Sequence, residues 1–118
     1  NGAGDVEIID SVVRDCYAKY NGGVVYAVNS GAVSIINSDV SGCYAGSSGG
    51  VVYAYKNSGA VSLSGSNVSR CSAGSNGGVV AAASSGAVSI IDSDVRDCSA
   101  GYTGGVVFAH YSGAVSII

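Results

Sequence analysis

Apolar and polar residues alternate along short stretches of the chain, and small polar residues separate one stretch from the next. In Val33-Ser34-Ile35, for example, two β-branched residues flank a serine. Such alternation is typical of a half-buried β-strand, and Gly, Ser and Asn between the stretches are typical of turns. No stretch keeps the apolar spacing of about 3.6 residues that an amphipathic helix requires. The pattern predicts an all-β protein made of many short strands.

The stretches recur at a fixed interval. Gly-Gly-Val-Val begins at Gly22, Gly49, Gly77 and Gly104, at intervals of 27, 28 and 27 residues. A period of this size is typical of solenoids, in which each unit buries its apolar face against its neighbours. We therefore interpret residues 1–118 as one segment of a longer repeat protein. Its units are expected at about 4–30, 31–58, 59–85 and 86–112, with a partial unit at 113–118.

One unit is long enough for about three strands of about five residues and the corners between them, which closes one coil of a β-helix. Successive coils then stack ~4.8 Å apart as hydrogen-bonded parallel strands. In the second unit, strands are expected at roughly 32–36, 39–45 and 51–55. The side chains expected to point inward are Val33, Ile35, Val40, Cys43, Ala45, Val52 and Ala54. Since parallel crossovers are right-handed, we predict a right-handed parallel β-helix of about four coils.

Charge adds little to this picture. Charged residues make up 11% of the chain and the net charge is -3, against a charged share of roughly 25% in ordinary soluble domains. The five Lys and Arg residues are scattered along the sequence, so we expect no nucleic-acid partner. No apolar run approaches the ~20 residues of a membrane-spanning helix, so we expect no transmembrane segment.

The strand after each Gly-Gly pair is expected to present an apolar outer surface. Val25 and Ala27 recur unchanged in every unit, so we expect them to face inward, and the residues between them vary. With alternating side chains, the variable positions should face outward, joined there by the first valine of each Val-Val pair. The expected assembly interface is Val24, Tyr26, Val28, Val51, Tyr53, Tyr55, Val79, Val106, Phe108 and His110, with Ala81 and Ala83 in the same columns.

The cysteines Cys16, Cys43, Cys71 and Cys98 fall one per coil, which leaves several interpretations. Zinc sites use clustered ligands such as CxxC pairs, and a catalytic thiol needs a positioned base. Disulfide bonds between adjacent coils are compatible with the Cα separation, although in-register strands keep Cβ atoms further apart than the usual ~3.8 Å. We expect a buried ladder of free thiols in which cysteine acts as a small hydrophobe.

Other candidate sites are weaker. Asn37-Ser38-Asp39 and Asp92-Ser93-Asp94 suggest calcium ligands, but the equivalent triplets of the other units lack stacked carboxylates, so turns that cap a corner are expected. A carbohydrate-active enzyme needs paired carboxylates or a basic residue in a groove. We expect no catalytic residue, metal or cofactor. An ice-binding surface would need threonine columns, and Thr103 is the only threonine. Asn67-Val68-Ser69 is a glycosylation sequon.

The order of motifs within each unit resembles the repeats of the chlamydial polymorphic outer membrane proteins. Those repeats carry Phe-x-x-Asn and then Gly-Gly-Ala-Ile, where this chain has Val-x-x-Cys and then Gly-Gly-Val-Val, as in Val40 to Cys43. The resemblance covers nearly the whole chain, but valine replaces phenylalanine and cysteine replaces asparagine. It implies a pectin-lyase-like right-handed β-helix displayed outside the cell.

These observations favour a structural segment of an extracellular fibre or cell-surface appendage, whose partners are copies of itself or other fibre subunits. Gly4 already begins a repeat and Gly113 begins another, so both ends are expected to continue into more polypeptide or another subunit. The alternative is a surface-displayed adhesin that binds a surface glycan or host receptor. A carbohydrate-active enzyme is a more distant alternative.

Overall fold

A computed structural model describes residues 5–28, 31–55, 59–83, 86–110 and 115–117, and it describes the main chain but not the side chain of His110. Short strands, and no helix, make up the regular structure of these residues. In chain order the strands are β1 (Val6–Ile9), β2 (Val12–Arg14), β3 (Tyr17–Ala18), β4 (Val25–Val28), β5 (Val33–Ile36), β6 (Asp39–Ser41), β7 (Tyr44–Ala45), β8 (Val52–Tyr55), β9 (Val61–Ser64), β10 (Asn67–Ser69), β11 (Ser72–Ala73), β12 (Val80–Ala83), β13 (Val88–Ile91), β14 (Asp94–Arg96), β15 (Ser99–Ala100), β16 (Val107–His110) and β17 (Val115–Ile117).

The strands form four parallel sheets that run along a β-solenoid of about four turns. Their orders are β1-β5-β9-β13-β17, β2-β6-β10-β14, β3-β7-β11-β15 and β4-β8-β12-β16. Each residue pairs with the equivalent residue of the next unit, as Val33 does with Val6 and Val61. The predicted parallel β-solenoid is therefore confirmed, and identical residues lie in columns along its axis.

The interior of the solenoid is the hydrophobic core. All seven side chains of the second unit that were predicted to point inward are buried: Val33, Ile35, Val40, Cys43, Ala45, Val52 and Ala54. Their equivalents in the third unit, such as Val61 and Leu63, are buried as well. The core thus consists of short columns of branched residues that run along the axis. Within a column, each residue packs between its equivalents in the coils on either side.

The corners are made by residues in the left-handed conformation. Gly42 has φ 65° and ends β6, so the strand predicted over 39–45 is divided into β6 and β7. At the preceding corner, Asn37 has φ 50° and its equivalents are Asp10, Gly65 and Asp92. Asn, Asp and Gly tolerate this conformation best. Asp10, Asn37 and Asp92 therefore bend the backbone at the start of this corner.

A serine follows each of these Asx or Gly residues and takes part in a column of its own. The main-chain N–H of Ser11 donates to Oγ of Ser38 (3.1 Å), and the N–H of Ser38 donates to Oγ of Ser66 (3.1 Å). Oγ of Ser38 in turn donates to the carbonyl of Ile36 (2.9 Å). Ser38 and Ser66 are buried, and each hydroxyl satisfies an N–H group that the corner would otherwise leave without a partner.

The second glycine of the first three Gly-Gly pairs is required by the close approach of two coils. A Cβ atom on Gly50 would lie 2.1 Å from the carbonyl oxygen of Gly78 and 2.7 Å from that of Ser72. Both contacts are with main chain, which cannot move away without breaking the ladder between coils. A Cβ atom on Gly105, the equivalent residue in the fourth unit, would meet nothing closer than 3.9 Å.

This difference within one column gives a matched test of the stacking. We expect Gly50→Ala to lower the free energy of unfolding by about 3 kcal/mol, because the methyl group would overpack the interface between coils. Gly105→Ala should leave it unchanged or raise it by about 0.5 kcal/mol, because alanine restricts the unfolded chain. Urea denaturation followed by circular dichroism measures both. Equal effects of the two substitutions would show that the coils are not packed this closely.

Candidate functional site

The outer surface of the sheet β4-β8-β12-β16 carries a column of aromatic residues. The rings of Tyr26 and Tyr53 are stacked with centroids 5.4 Å apart and planes 5° apart, and Tyr55 lies 5.9 Å from Tyr53 at a tilt of 35°. We call this surface the aromatic face; it consists of Tyr26, Val28, Tyr53, Tyr55, Ala81, Ala83 and Phe108.

Ala81 interrupts the aromatic column of the aromatic face. Ala81 is in register with Tyr53 on one side and Phe108 on the other, and it is only 1% exposed. Tyr26 is 54% exposed, and the side chains of Val28, Tyr53, Tyr55 and Phe108 are partly exposed. His110 is in register with Ala83, but its side chain lies outside the described residues. The outward direction predicted for Tyr26, Tyr53 and Phe108 is therefore correct.

The outward direction predicted for Val24, Val51, Val79 and Val106 is wrong. Val51 and Val79 are fully buried in the core, and Val24 and Val106 pack against it. The alternation of side chains fails here because the backbone turns just before the strand. The N–H groups of Val24 and Val25 both donate to the carbonyl of Val51 (2.9 Å each), as occurs in a bulge. Both valines of each pair therefore point inward.

A second pair of stacked tyrosines lies on another sheet, β3-β7-β11-β15. The rings of Tyr17 and Tyr44 are 5.6 Å apart with planes at 13°, and Tyr17 is 71% exposed. The ammonium group of Lys19 lies 5.6 Å from the ring centre of Tyr20 at the adjoining corner. The sequence signal was present, since Tyr17 and Tyr44 occupy equivalent positions, but serines occupy the column in the next two units.

The four cysteines form a column at the corner between β2 and β3 and its equivalents. Cys43 and Cys71 are buried, Cys16 and Cys98 are partly exposed, and all four are free thiols. Each thiol donates to the carbonyl two residues earlier, as Sγ of Cys43 does to Ser41 (3.5 Å) and Sγ of Cys71 does to Ser69 (3.3 Å). Each cysteine follows a left-handed residue, as each serine of the serine column does.

Hydrogen bonds also link successive cysteines. A main-chain hydrogen bond joins Cys16 to the thiol of Cys43, and another joins Cys43 to the thiol of Cys71. The thiols also influence one another's ionisation: interaction with the Cys71 thiol lowers the pKa of Cys43 and of Cys98, and interaction with these two neighbours raises the pKa of Cys71 itself. Burial raises the pKa of Cys16. The sulfur atoms therefore accept main-chain hydrogen bonds from the neighbouring coil, as the hydroxyl groups of the serine column do. The interpretation of cysteine as a small hydrophobe missed these hydrogen bonds.

The residues considered as calcium ligands contact other groups of the protein. Ser38 is buried in the serine column, and Asp39 is exposed and accepts a hydrogen bond from Nδ2 of Asn67 (3.0 Å). Within the described ranges, no group of three or more His, Cys, Asp or Glu side chains is placed to hold a metal ion. Asn67 is exposed on β10, and its glycosylation stays a prediction.

The arginines are scattered in sequence but not in space. All three, Arg14, Arg70 and Arg96, border two shallow depressions of about 260 and 350 Å³ on and beside the outer surface of β2-β6-β10-β14. Asp39 and Asp94 line the same depressions, and Asp94 forms an ion pair with Arg96. The charge of this surface is mixed, so it does not form the positive patch that polyanions require.

No family model, curated protein or solved structure matches the chain. The polymorphic outer membrane protein resemblance therefore stands on the motif order alone. In the part of the chain that the structure describes, no helix is long and apolar enough to cross a membrane.

The hydrogen bonds of the cysteine column predict how replacement of Cys43 changes the free energy of unfolding. If sulfur accepts the hydrogen bond from Cys16 and donates one to Ser41, Cys43→Ser should destabilise the fold less than Cys43→Ala. We expect a difference of about 2 kcal/mol in the free energy of unfolding, the usual cost of a buried donor without a partner. Thermal and urea denaturation under reducing conditions measure it. If alanine is tolerated better than serine, the thiol acts as a hydrophobe only.

The aromatic face makes a prediction about alkaline pH. Burial, and then the neighbouring Tyr26 and Tyr55, raise the pKa of Tyr53, so the folded state favours its neutral form. This contribution to stability is complete below the unfolded pKa of about 10 and is lost as the pH rises through the folded pKa. The stability of Tyr53→Phe should therefore fall less steeply between about pH 9 and pH 11 than that of the parent chain. Tyr102→Phe, at a position that is 84% exposed, is the control and should retain the parent slope.

Proposed function

We propose that the chain is a structural segment of an extracellular fibre or cell-surface appendage, in which β-solenoids pack side by side through the aromatic face. In this proposal the chain has no enzymatic role, and its partners are copies of itself or other subunits of the same fibre.

The observation that carries the proposal is the stacking of Tyr26 on Tyr53 on the outside of the solenoid, with ring centroids 5.4 Å apart and nearly parallel planes. Burial of the aromatic face would remove from water a surface whose aromatic rings are already held in one orientation. Contiguous exposed apolar patches commonly mark interfaces, and tyrosine is enriched in them because its ring is apolar and its hydroxyl is polar.

The regular strands around this surface support lateral packing. β4, β8, β12 and β16 have four residues each and pair in register, so no loop rises between the aromatic side chains. Two such sheets can approach face to face at about 10 Å, the usual separation of packed sheets. A surface of this kind repeats with every coil, so a longer solenoid would present a longer version of the same contact.

A surface-displayed adhesin is the second candidate, and the stack of Tyr17 on Tyr44 favours it. This stack lies on a different sheet from the aromatic face, with Tyr20 exposed at the next corner. A protein that binds another surface with one side and packs with a neighbour through another would need two such surfaces. Tyrosines of this kind supply large contacts at low entropic cost.

Two double variants distinguish the aromatic face from the second tyrosine stack. We expect the chain to self-associate in sedimentation velocity, and Tyr53→Asp with Phe108→Asp to weaken the association at least about 10-fold, or about 1.4 kcal/mol, because burial of the new charges is costly. Tyr17→Asp with Tyr44→Asp makes the same chemical change on the other sheet and should leave association intact. Circular dichroism checks that both variants are folded.

Three results would count against the proposal. The parent chain could stay monomeric at every accessible concentration, which would exclude self-packing through this face. The Tyr53 and Phe108 variant could assemble as well as the parent, which would show that the face is exposed in the assembly. Loss of assembly only in the Tyr17 and Tyr44 variant would move the interface to the second stack.

A further inference from the structure

We propose that the cysteine column is a binding site for a soft monovalent metal ion, copper(I), held between the thiolate sulfurs of adjacent coils. The inner pair, Cys43 and Cys71, forms the core of this site, and the column extends to Cys16 and Cys98. The proposal concerns a site separate from the aromatic face and does not depend on assembly.

The spacing of the coils matches the length of two metal–sulfur bonds. A zinc–thiolate bond is about 2.3 Å long, and a two-coordinate copper(I)–thiolate bond is slightly shorter, so an ion with one sulfur on each side needs at most about 4.6 Å between the sulfurs. The rise from one coil to the next is ~4.8 Å, and in-register pairing places each cysteine over the next. An ion could therefore enter between Cys43 and Cys71 without a shift of the backbone.

The arrangement selects the kind of ion. The sulfurs of the column have one another as neighbours above and below, and the inner pair, Cys43 and Cys71, lies in the same buried apolar cluster as Val40 and Val68. Zinc takes four ligands in a tetrahedron, which a straight column cannot supply. Copper(I) prefers soft thiolate ligands and is stable with two of them in a line. The column thus supplies the ligand type and number of a two-coordinate site.

The surrounding hydrogen bonds allow the thiols to lose their protons. When Cys43 gives up its proton, the carbonyl of Ser41 keeps a hydrogen bond from the N–H of Asp15 (2.9 Å). When Cys71 does so, the carbonyl of Ser69 keeps one from the N–H of Gly42 (3.1 Å). No buried carbonyl is left without a partner, a loss that would otherwise be costly.

The same corners supply hydrogen-bond donors for the negative charge that remains on the two metal-bound sulfurs. Main-chain hydrogen bonds from Cys16 and Cys43 reach the sulfurs of Cys43 and Cys71, and hydrogen bonds to sulfur are a common means of stabilising metal thiolates. In the binding step, two S–H bonds break, two copper–sulfur bonds form, and two protons pass to solvent. The product is an RS–Cu–SR unit with a single negative charge, and no electron is transferred.

Variants with equal numbers of cysteines test whether adjacency matters. Cys16→Ser with Cys98→Ser leaves the adjacent pair Cys43 and Cys71. Cys43→Ser with Cys71→Ser leaves two cysteines three coils apart, or about 14 Å, too far to share an ion. Serine is the replacement because it preserves the hydrogen bonds of a corner, as the serine column shows.

The experiment is an anaerobic competition titration with copper(I) bicinchoninate, followed by the loss of the colour of that complex. We expect the variant that keeps the adjacent pair to bind one copper(I) ion per chain, and the variant that keeps the separated pair to bind at least about 100-fold more weakly, or about 2.7 kcal/mol. The bound form should show thiolate-to-copper charge-transfer absorption in the ultraviolet and a raised melting temperature.

A second comparison covers the case in which loss of the inner pair disrupts the fold. Cys16→Ser with Cys43→Ser keeps the adjacent pair Cys71 and Cys98 and should bind, whereas Cys16→Ser with Cys71→Ser keeps Cys43 and Cys98, two coils apart, and should not. Equal binding by adjacent and separated pairs would overturn the proposal, because thiol number alone would then explain it. Absence of binding to the parent chain, or a preference for zinc, would overturn it as well.

Discussion

Main-chain hydrogen bonds between coils are the interaction on which the rest of this structure depends. They run along the axis in all four sheets, and they continue through corners where regular strands stop, as between Gly49 and Gly23 (3.1 Å). Because the bonds join corresponding segments of two units in one register, the coils can shift neither along nor across one another without losing many bonds together. Buried main-chain groups are costly to leave without partners, so this ladder fixes where every side chain lies.

The ladder turns each position of the repeat into a column, and the column decides what the residue can do. Where a corner bends the backbone away from direct pairing, a side chain accepts the main-chain hydrogen bond instead, through the hydroxyl oxygen of Ser38 and through the sulfur of Cys43. On the outside, the same register stacks Tyr26 on Tyr53. A single tyrosine or serine thus gains a stacking partner or a hydrogen-bond partner from the equivalent residue one coil away.

The fold could be predicted from the sequence because its signal was repeated in each unit, at intervals that fit one coil. The inward positions from Val33 to Ala54 followed from alternation within strands. Alternation failed at Val51, where two N–H groups share one carbonyl. The backbone turns at this point, and the residue types do not predict the size of the turn. Ser38 was missed for a different reason, since a serine beside an asparagine is typical of an ordinary exposed turn, and its burial depends on the neighbouring coils. The tyrosines of the aromatic face were expected, whereas Tyr17 and Tyr44 occupy only half of their column.

The close contact at Gly50 has a consequence for how such a chain can change its length. The carbonyl of Gly78 leaves no room for a side chain there, so each coil must copy the cross-section of its neighbour to within a fraction of an ångström. Insertion or deletion of one whole unit keeps every contact of this kind. A piece of another size keeps the columns in register only where the segment between two strands absorbs it, as the one extra residue between β8 and β9 is absorbed. Recombination between the repeats of the gene would therefore lengthen or shorten the solenoid in steps of one coil, with each intermediate able to fold.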